Sequence, residues 1–216
     1  MITMQKAFEK LPPVKQRRIM DSALKTFAEN GYEAASISII CKRSGISNGA
    51  LYKYFKNKEA ILFACVDYGI ETMIKDYYLK YTNEANTLID AVRNLLCGLK
   101  EFTRKHRDMV SIYSDLGSSS MNRFSRIVSE KIEHQGRSFF ISLVENAKER
   151  GEIDASLRSD IAAYFIDTYI TLYSYSLVSE HHARRFDGFF KNSTKRLTED
   201  EKIGIIMESL RLLLTR

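Results

Sequence analysis

Between Ser47 and Lys58 the chain gathers hydrogen-bond donors and rings onto one short stretch: Asn48, Tyr52, Lys53, Tyr54 and Lys58, with Gly49 and Ala50 set among them. An Asn amide matches the donor and acceptor edge of adenine, Lys matches the acceptors of guanine, and Tyr52 can reach a base or a phosphate. A small residue such as Gly49 or Ala50 lets a helix backbone approach base edges closely. Gly49 costs a helix about 0.5–1 kcal/mol relative to Ala, which points to something other than helix stability.

The residues that would do covalent or metal chemistry are not arranged for it. His106, His134, His181 and His182 form no His-Glu-x-x-His pair, and none stands at ligand spacing from a cysteine. No phosphate loop, nucleophile elbow or dinucleotide fingerprint occurs. The sequence therefore argues against an enzyme and predicts no metal and no cofactor. Cys41, Cys65 and Cys97 are odd in number, widely separated and set in helical apolar patterns. They read as buried free thiols in a reducing compartment.

Charge divides the chain at the same place. The formal net charge is +6, and residues 1–62 hold all of it, with eleven bases against five acids; the remainder balances at twenty-two of each. A positive module joined to a neutral one is the footprint expected when one end meets a polyanion. Charge alone leaves a solvated basic face equally open.

The elements that must position these residues are helices. Hydrophobic residues make up 44% and charged residues 28%, and the only prolines are Pro12 and Pro13. Long segments carry apolar residues at three-and-four spacing, so the fold class is all-α. The prolines start a first helix over about 14–30, whose stripe Ile19, Ala23 and Phe27 ends at Asn30-Gly31. Ser36 caps a second helix with Ile37, Ile40 and Cys41 inward, although Ile39 stands where a capping box places an acid. Ser44-Gly45 breaks it, and Ser47 caps a third helix running to Phe55, with Leu51 and Phe55 in the core. Two short helices about a glycine-containing turn make a helix-turn-helix. The longest apolar run, Ala60–Val66, is far short of the ~20 residues that span a bilayer, and no charged-then-apolar leader opens the chain. The expectation is a soluble, cytoplasmic protein with no membrane partner.

The run Gly31-Tyr32 through Ser36-Ile37, then Ile40, Gly45-Ile46-Ser47, Gly49, Leu51-Tyr52, Tyr54-Phe55, Lys58-Glu59 and Ile61-Leu62 resembles the DNA-binding signature of the TetR family of regulators. The match covers about the first third of the chain. It departs from the family at Cys41, usually alanine, and at Ile39, usually polar. The resemblance implies that Tyr54 and Lys58 contact the phosphate backbone, as does Ser36 at a helix N-terminus whose unpaired N–H groups favour an anion.

Beyond Leu62 a helix capped by Asn57 runs to about Lys80 and connects two domains. Further helices are expected over about 86–106, 109–116 and 121–150, the last stopped by Gly151 with Ile127, Val128, Ile132, Phe139, Leu143 and Ala147 inward. Ser159 caps an aromatic helix to about His182, residues 183–197 look least ordered, and a Thr198/Glu201 capping box opens a last helix over 199–215. The aromatic helix is apolar on more than one face, so it meets a second set of neighbours. By resemblance, it and the last helix form a four-helix dimer interface.

The expectation is thus a three-helix DNA-binding domain over 1–62 and a larger helical ligand-binding and dimerisation domain over 63–216. The function expected is a transcription regulator, a repressor released from its operator by a small-molecule effector. Its partners would be palindromic double-stranded operator DNA, a partly apolar effector and a second copy of the chain. DNA contacts fall on Ser36, Ser47, Asn48, Gly49, Ala50, Tyr52, Lys53, Tyr54 and Lys58. Aromatics on inward faces around the connecting helix, Phe102, Tyr113, Phe139 and Tyr169, are the expected effector contacts. The alternative is a factor of the same fold controlled by a protein partner.

Overall fold

The computed structural model describes residues 6–116, 121–190 and 196–214, and the elements among them are helices. α1 (Lys6–Glu9) precedes α2 (Pro13–Ala34), whose proline lies in the first turn where its missing N–H is no loss. α2 buries Ile19, Met20, Ala23, Leu24 and Phe27. Its axis breaks at Gly31, where φ +66° and ψ 172° define a region open essentially to glycine alone. One further turn, 32–34, follows the break.

α3 (Ile37–Ser44) ends at Gly45 in the left-handed region, and the amides of Gly45 and Ile46 both donate to the Cys41 carbonyl. α4 (Asn48–Tyr52) is capped by Ser47, whose Oγ accepts from the Ala50 amide at 3.1 Å. It stops short of Phe55, since Lys53 and Tyr54 already bond three residues back, to Ala50 and Leu51. α5 (Lys58–Met73) is capped by Asn57, whose Oδ1 accepts from the Ala60 amide at 2.8 Å.

α5 continues through a π-helical segment, Ile74–Leu79, into α6 (Lys80–Thr82). Around it stand α7 (Leu88–Lys105), α8 (Arg107–Asp115), α9 (Asn122–Glu149), α10 (Ser159–Val178), α11 (Glu180–Phe190) and α12 (Glu199–Leu214). The Thr198/Glu201 capping box forms, with reciprocal bonds of 2.7 and 3.2 Å. Gly151, at φ +70°, stops α9.

Several local expectations shift. Ser159 is the first residue of α10 and not its cap; its hydroxyl is buried with no partner among the described residues. α10 ends at Val178 because Ser179 is extended, and α11 then occupies part of the stretch read as least ordered. There the Asp187 carboxylate accepts from the Leu197 amide at 3.2 Å. The buried stripe of α9 is turned by one residue: Phe140 and Val144 are sealed, while Phe139 and Leu143 flank them. Cys41 and Cys65 are buried, but Cys97 is exposed. The Gly117 and serine stop after α8, and Thr215, lie outside the described residues.

Two apolar clusters result. The first joins α1–α5 with Ile112, Leu116, Met121, Phe124 and Val128, so α8 and α9 pack on the helix-turn-helix. The second joins Tyr77 and Tyr78 with α7, α9, α10 and α12. At their far end Tyr81 of α6 lies across α7: a Cβ at Gly98 would stand 2.4 Å from the Tyr81 ring, whose hydroxyl is held by Glu101 at 2.8 Å. Gly98→Ala, a stabilising change in a free helix, should here cost about 1–3 kcal/mol through overpacking, and adding Tyr81→Ala should recover most of the urea midpoint. A single Gly98→Ala variant more stable than the parent would show that the ring gives way freely.

Candidate DNA interface and interior cavity

α4 is held from beneath by Leu51 and Phe55, both sealed in the first cluster. Burying these two side chains contributes roughly 1.5–3 kcal/mol each and fixes which face looks outward. The outward residues are Ser47, Asn48, Gly49, Lys53 and Tyr52, the last 51% exposed, with Ala50 partly covered. Ser47 is engaged as the cap. Nothing lies within 4 Å of a Cβ built on Gly49, so interior packing does not require glycine there. Tyr54 is half-buried, its ring 6.0 Å from Phe8 in an edge-on contact. Phe8, also 5.0 Å from Phe55, supports this surface, and α1 is too short for any periodicity to reveal it. Ser36 occupies the N-cap of α3, yet its hydroxyl makes no capping bond.

Lys58 differs most from the role implied by resemblance. Its Nζ donates to the carbonyls of Tyr32, Glu33 and Ala35 at 2.7, 3.0 and 3.2 Å, and lies 4.5 Å above the Tyr32 ring. The break at Gly31 frees those carbonyls, and the ammonium satisfies them, tying the end of α2 to the start of α5. A phosphate contact by Lys58 would compete with these bonds. Arg43 is likewise engaged, with Thr26 and Glu29. Among the described residues Lys42, Lys53 and Lys56 make no ion pair, and they leave this face positive.

Behind this surface lies a cavity of about 90 Å³ walled by α5, the π-helical segment, α7, α8, α9 and α10. Of the expected effector contacts, Phe102 and Tyr113 stand on its wall. Phe139 stacks on Tyr78 at 4.3 Å and 8°, and Tyr169 packs half-buried against the second cluster; neither lines the cavity. The lining instead includes Tyr77, Tyr78, Glu133 and Asp167, and no Lys, Arg or His. Asp167 left a signal: it is the one charged residue between Asp160 in the first turn of α10 and Glu180.

Burial, and then the charge of Glu133, push the Asp167 carboxyl up to about 6. Burial also raises Glu133. The Tyr175 phenol is pushed up to about 12 by burial and by the charges of Glu133 and Asp167. Burial foremost raises Tyr78 and Tyr113 as well. The cavity is therefore an apolar space with anionic character and no counter-ion in its wall.

α2–α4 define a helix-turn-helix followed by a larger helical region. The profile described as bacterial regulatory proteins, tetR family, matches residues 19–65. Over 132 residues it is 30% identical to an uncharacterized HTH-type transcriptional regulator, YuxN, of Bacillus subtilis; the match takes in 61% of this chain and 45% of that protein's length. Its fold is similar to that of the transcriptional regulator FadR from Bacillus subtilis in complex with stearoyl-CoA (TM-score 0.68, 20% identity, 92% of this chain and 97% of that one). It is also similar to AibR in complex with isovaleryl coenzyme A and operator DNA (TM-score 0.58, 16% identity, 90% and 97%).

Asp167 generates a pH test. Its folded-state proton affinity exceeds the unfolded value near 3.9, so the folded state loses stability as pH rises from about 4 through 6. Asp167→Asn removes this penalty: at pH 7.5 the variant should unfold about 1–3 kcal/mol later in urea than the parent, and the two should converge near pH 4. A variant less stable than the parent at pH 7.5 would mean that the carboxylate has a stabilising partner.

Proposed function

We propose that the chain is a transcription regulator of a bacterial cytoplasm that binds operator DNA as a homodimer and is released by a small, partly apolar effector; it is not an enzyme. Residues 1–62 serve as the DNA-binding domain and 63–216 as the effector and dimerisation domain. The observation that carries the reading is α4: a short helix anchored by Leu51 and Phe55, with Asn48, Gly49, Tyr52 and Lys53 outward on the basic end of the chain. Asn48 and Lys53 read base edges, Gly49 and Ala50 allow close approach, and Tyr52, Tyr54 and Ser36 hold phosphates. Ser47 fixes the helix start. Lys58 acts chiefly by locking α2 to α5, and its charge adds to the local positive field.

An unpartnered apolar face supports the dimer. Tyr164, Phe165 and Leu172 of α10 and Leu212 and Leu213 of α12 are exposed, Tyr164 by 67% and Leu212 by 76%. Large apolar side chains grouped on adjoining helices mark an interaction surface. Two copies of one short recognition helix would meet half-sites about 34–36 Å apart on a palindromic operator. No helix among the described residues is long and apolar enough to cross a membrane.

Release follows from the walls of the cavity. At about 90 Å³ it is smaller than the ~150 Å³ that accepts a benzene, so an effector enters only by moving its lining. α5 supplies Cys65, Val66, Gly69, Ile70 and Met73 to that lining and begins six residues after α4 ends. An effector that favours the moved conformation weakens DNA binding, and a tenfold loss needs about 1.4 kcal/mol of coupling. The stearoyl-CoA and isovaleryl coenzyme A of the similar regulators support a small-molecule effector with an apolar part.

Selection from a random DNA library separates reading from holding. Asn48→Ala and Lys53→Ala should relax base preference by about 1–3 kcal/mol at their positions, whereas Tyr54→Phe should weaken all sequences alike. The reverse pattern would invert these roles. Light scattering should give a dimer for the parent, and Tyr164→Arg with Leu172→Arg should give folded monomers that lose operator binding. Monomers that retain full affinity would overturn the dimeric reading.

A further inference from the structure

The interior cavity combines aromatic walls with acid and lacks base. We infer that it is a site for an apolar cation, a protonated amine or quaternary ammonium on a hydrocarbon body, with Asp167 as its counter-ion and Glu133 guarding the exposed rim. This rests on the effector reading above and names the chemical class of the effector.

Asp167 makes no hydrogen bond or ion pair with any described residue, although it lines a largely apolar space. A carboxylate withdrawn from water without a partner is costly and needs a counter-charge. None comes from the lining, and Lys131, which stands one residue before the lining residue Ile132, is paired with Asp67. Tyr78 is the second and independent sign. Only 5% exposed, it lines the cavity, and its hydroxyl makes no hydrogen bond with any described residue.

The two polar atoms converge. A Cβ placed on Gly136 would lie 3.8 Å from Asp167 Oδ1 and 3.9 Å from Tyr78 Oη, so the glycine leaves a notch that both groups border. An ammonium group there would meet the carboxylate and the phenol oxygen together. Its methylenes or methyl groups would lie against Tyr77, Tyr78, Phe102 and Tyr113, whose ring faces attract a cation and whose bulk accepts hydrocarbon. A fatty carboxylate would meet two acids and no base. A neutral thioester would leave Asp167 uncompensated. The cavity chemistry therefore separates this chain from the acyl-CoA complexes that its fold resembles.

The test uses the whole 216-residue chain and a series with one chain length below its micellar concentrations: dodecyltrimethylammonium, dodecylamine, dodecanol, dodecanoate and dodecanoyl-CoA. Calorimetry reads binding, and fluorescence anisotropy on a library-selected operator reads release. The two cations should bind at least tenfold more tightly than dodecanol, with dodecanoate weaker still, and they should release DNA. Asp167→Asn should abolish the preference for the cations while leaving dodecanol binding unchanged. Glu133→Gln, at the rim, should reduce the preference by a smaller factor, and it provides a second route should Asp167→Asn fold poorly. If dodecanoate or dodecanoyl-CoA binds most tightly, or the cation preference survives both substitutions, the cation inference is overturned while an effector cavity stands. If no member of the series binds the parent, the effector reading itself fails along with the inference.

Discussion

From Ile61 to Val66 every side chain of α5 is buried. A helix apolar on all sides must be enclosed on all sides, and α5 meets this constraint by packing on α2 and α9 in the first cluster. The same helix then runs on through Gly69, Ile70 and Met73 into the cavity wall. One rigid element is thus shared by the helix-turn-helix and the interior space. Neither end can move without repacking a close-packed core, and such cores shift between discrete arrangements rather than deforming smoothly.

The sharing goes further than one helix. Phe124 of α9 meets Tyr32 at 4.6 Å and Phe63 at 5.8 Å, so the end of α2 is pinned by rings from beyond the helix-turn-helix. Leu24 of α2 and Ile112 and Leu116 at α8 belong to the first cluster and also line the cavity. Lys58 completes the arrangement by fastening the carbonyls left open at Gly31 to the first turn of α5. α4 sits on a platform that extends through α5 to the cavity wall. The π-helical segment that follows Met73 brings Tyr77 and Tyr78 to that wall, where the helix register widens by a residue.

Local rules made the helix-turn-helix legible. Glycines at Gly31 and Gly45, caps at Ser47 and Asn57, and the Leu51 and Phe55 anchors each rest on chemistry within a few residues, and each recurs in the structure. The bonds of Lys58 were not legible, because they depend on carbonyls more than twenty positions away. The same holds for the cavity. Phe102 and Tyr113 were found by inward periodicity, but a one-residue turn of α9 moved Phe139 behind Tyr78, and apolar patterning gave no reason to choose Asp167. An apolar pattern locates a core; it does not say where the core fails to close. The one acid of α10 beyond its first turn, Asp167, was the available clue, since a charge in an apolar helix needs a purpose.

The proposed coupling of the cavity to α4 is tested most directly by the distance between the two copies of α4 in the proposed dimer. Spin labels at Lys56→Cys in a Cys97→Ser background, read by pulsed EPR, report that distance in solution. With the cavity empty, the distribution should be narrow and should match that of the operator complex. Filling the cavity with a ligand that releases DNA should shift it by several ångströms. Release of DNA by a cavity-bound ligand with the distribution unchanged would contradict the mechanism.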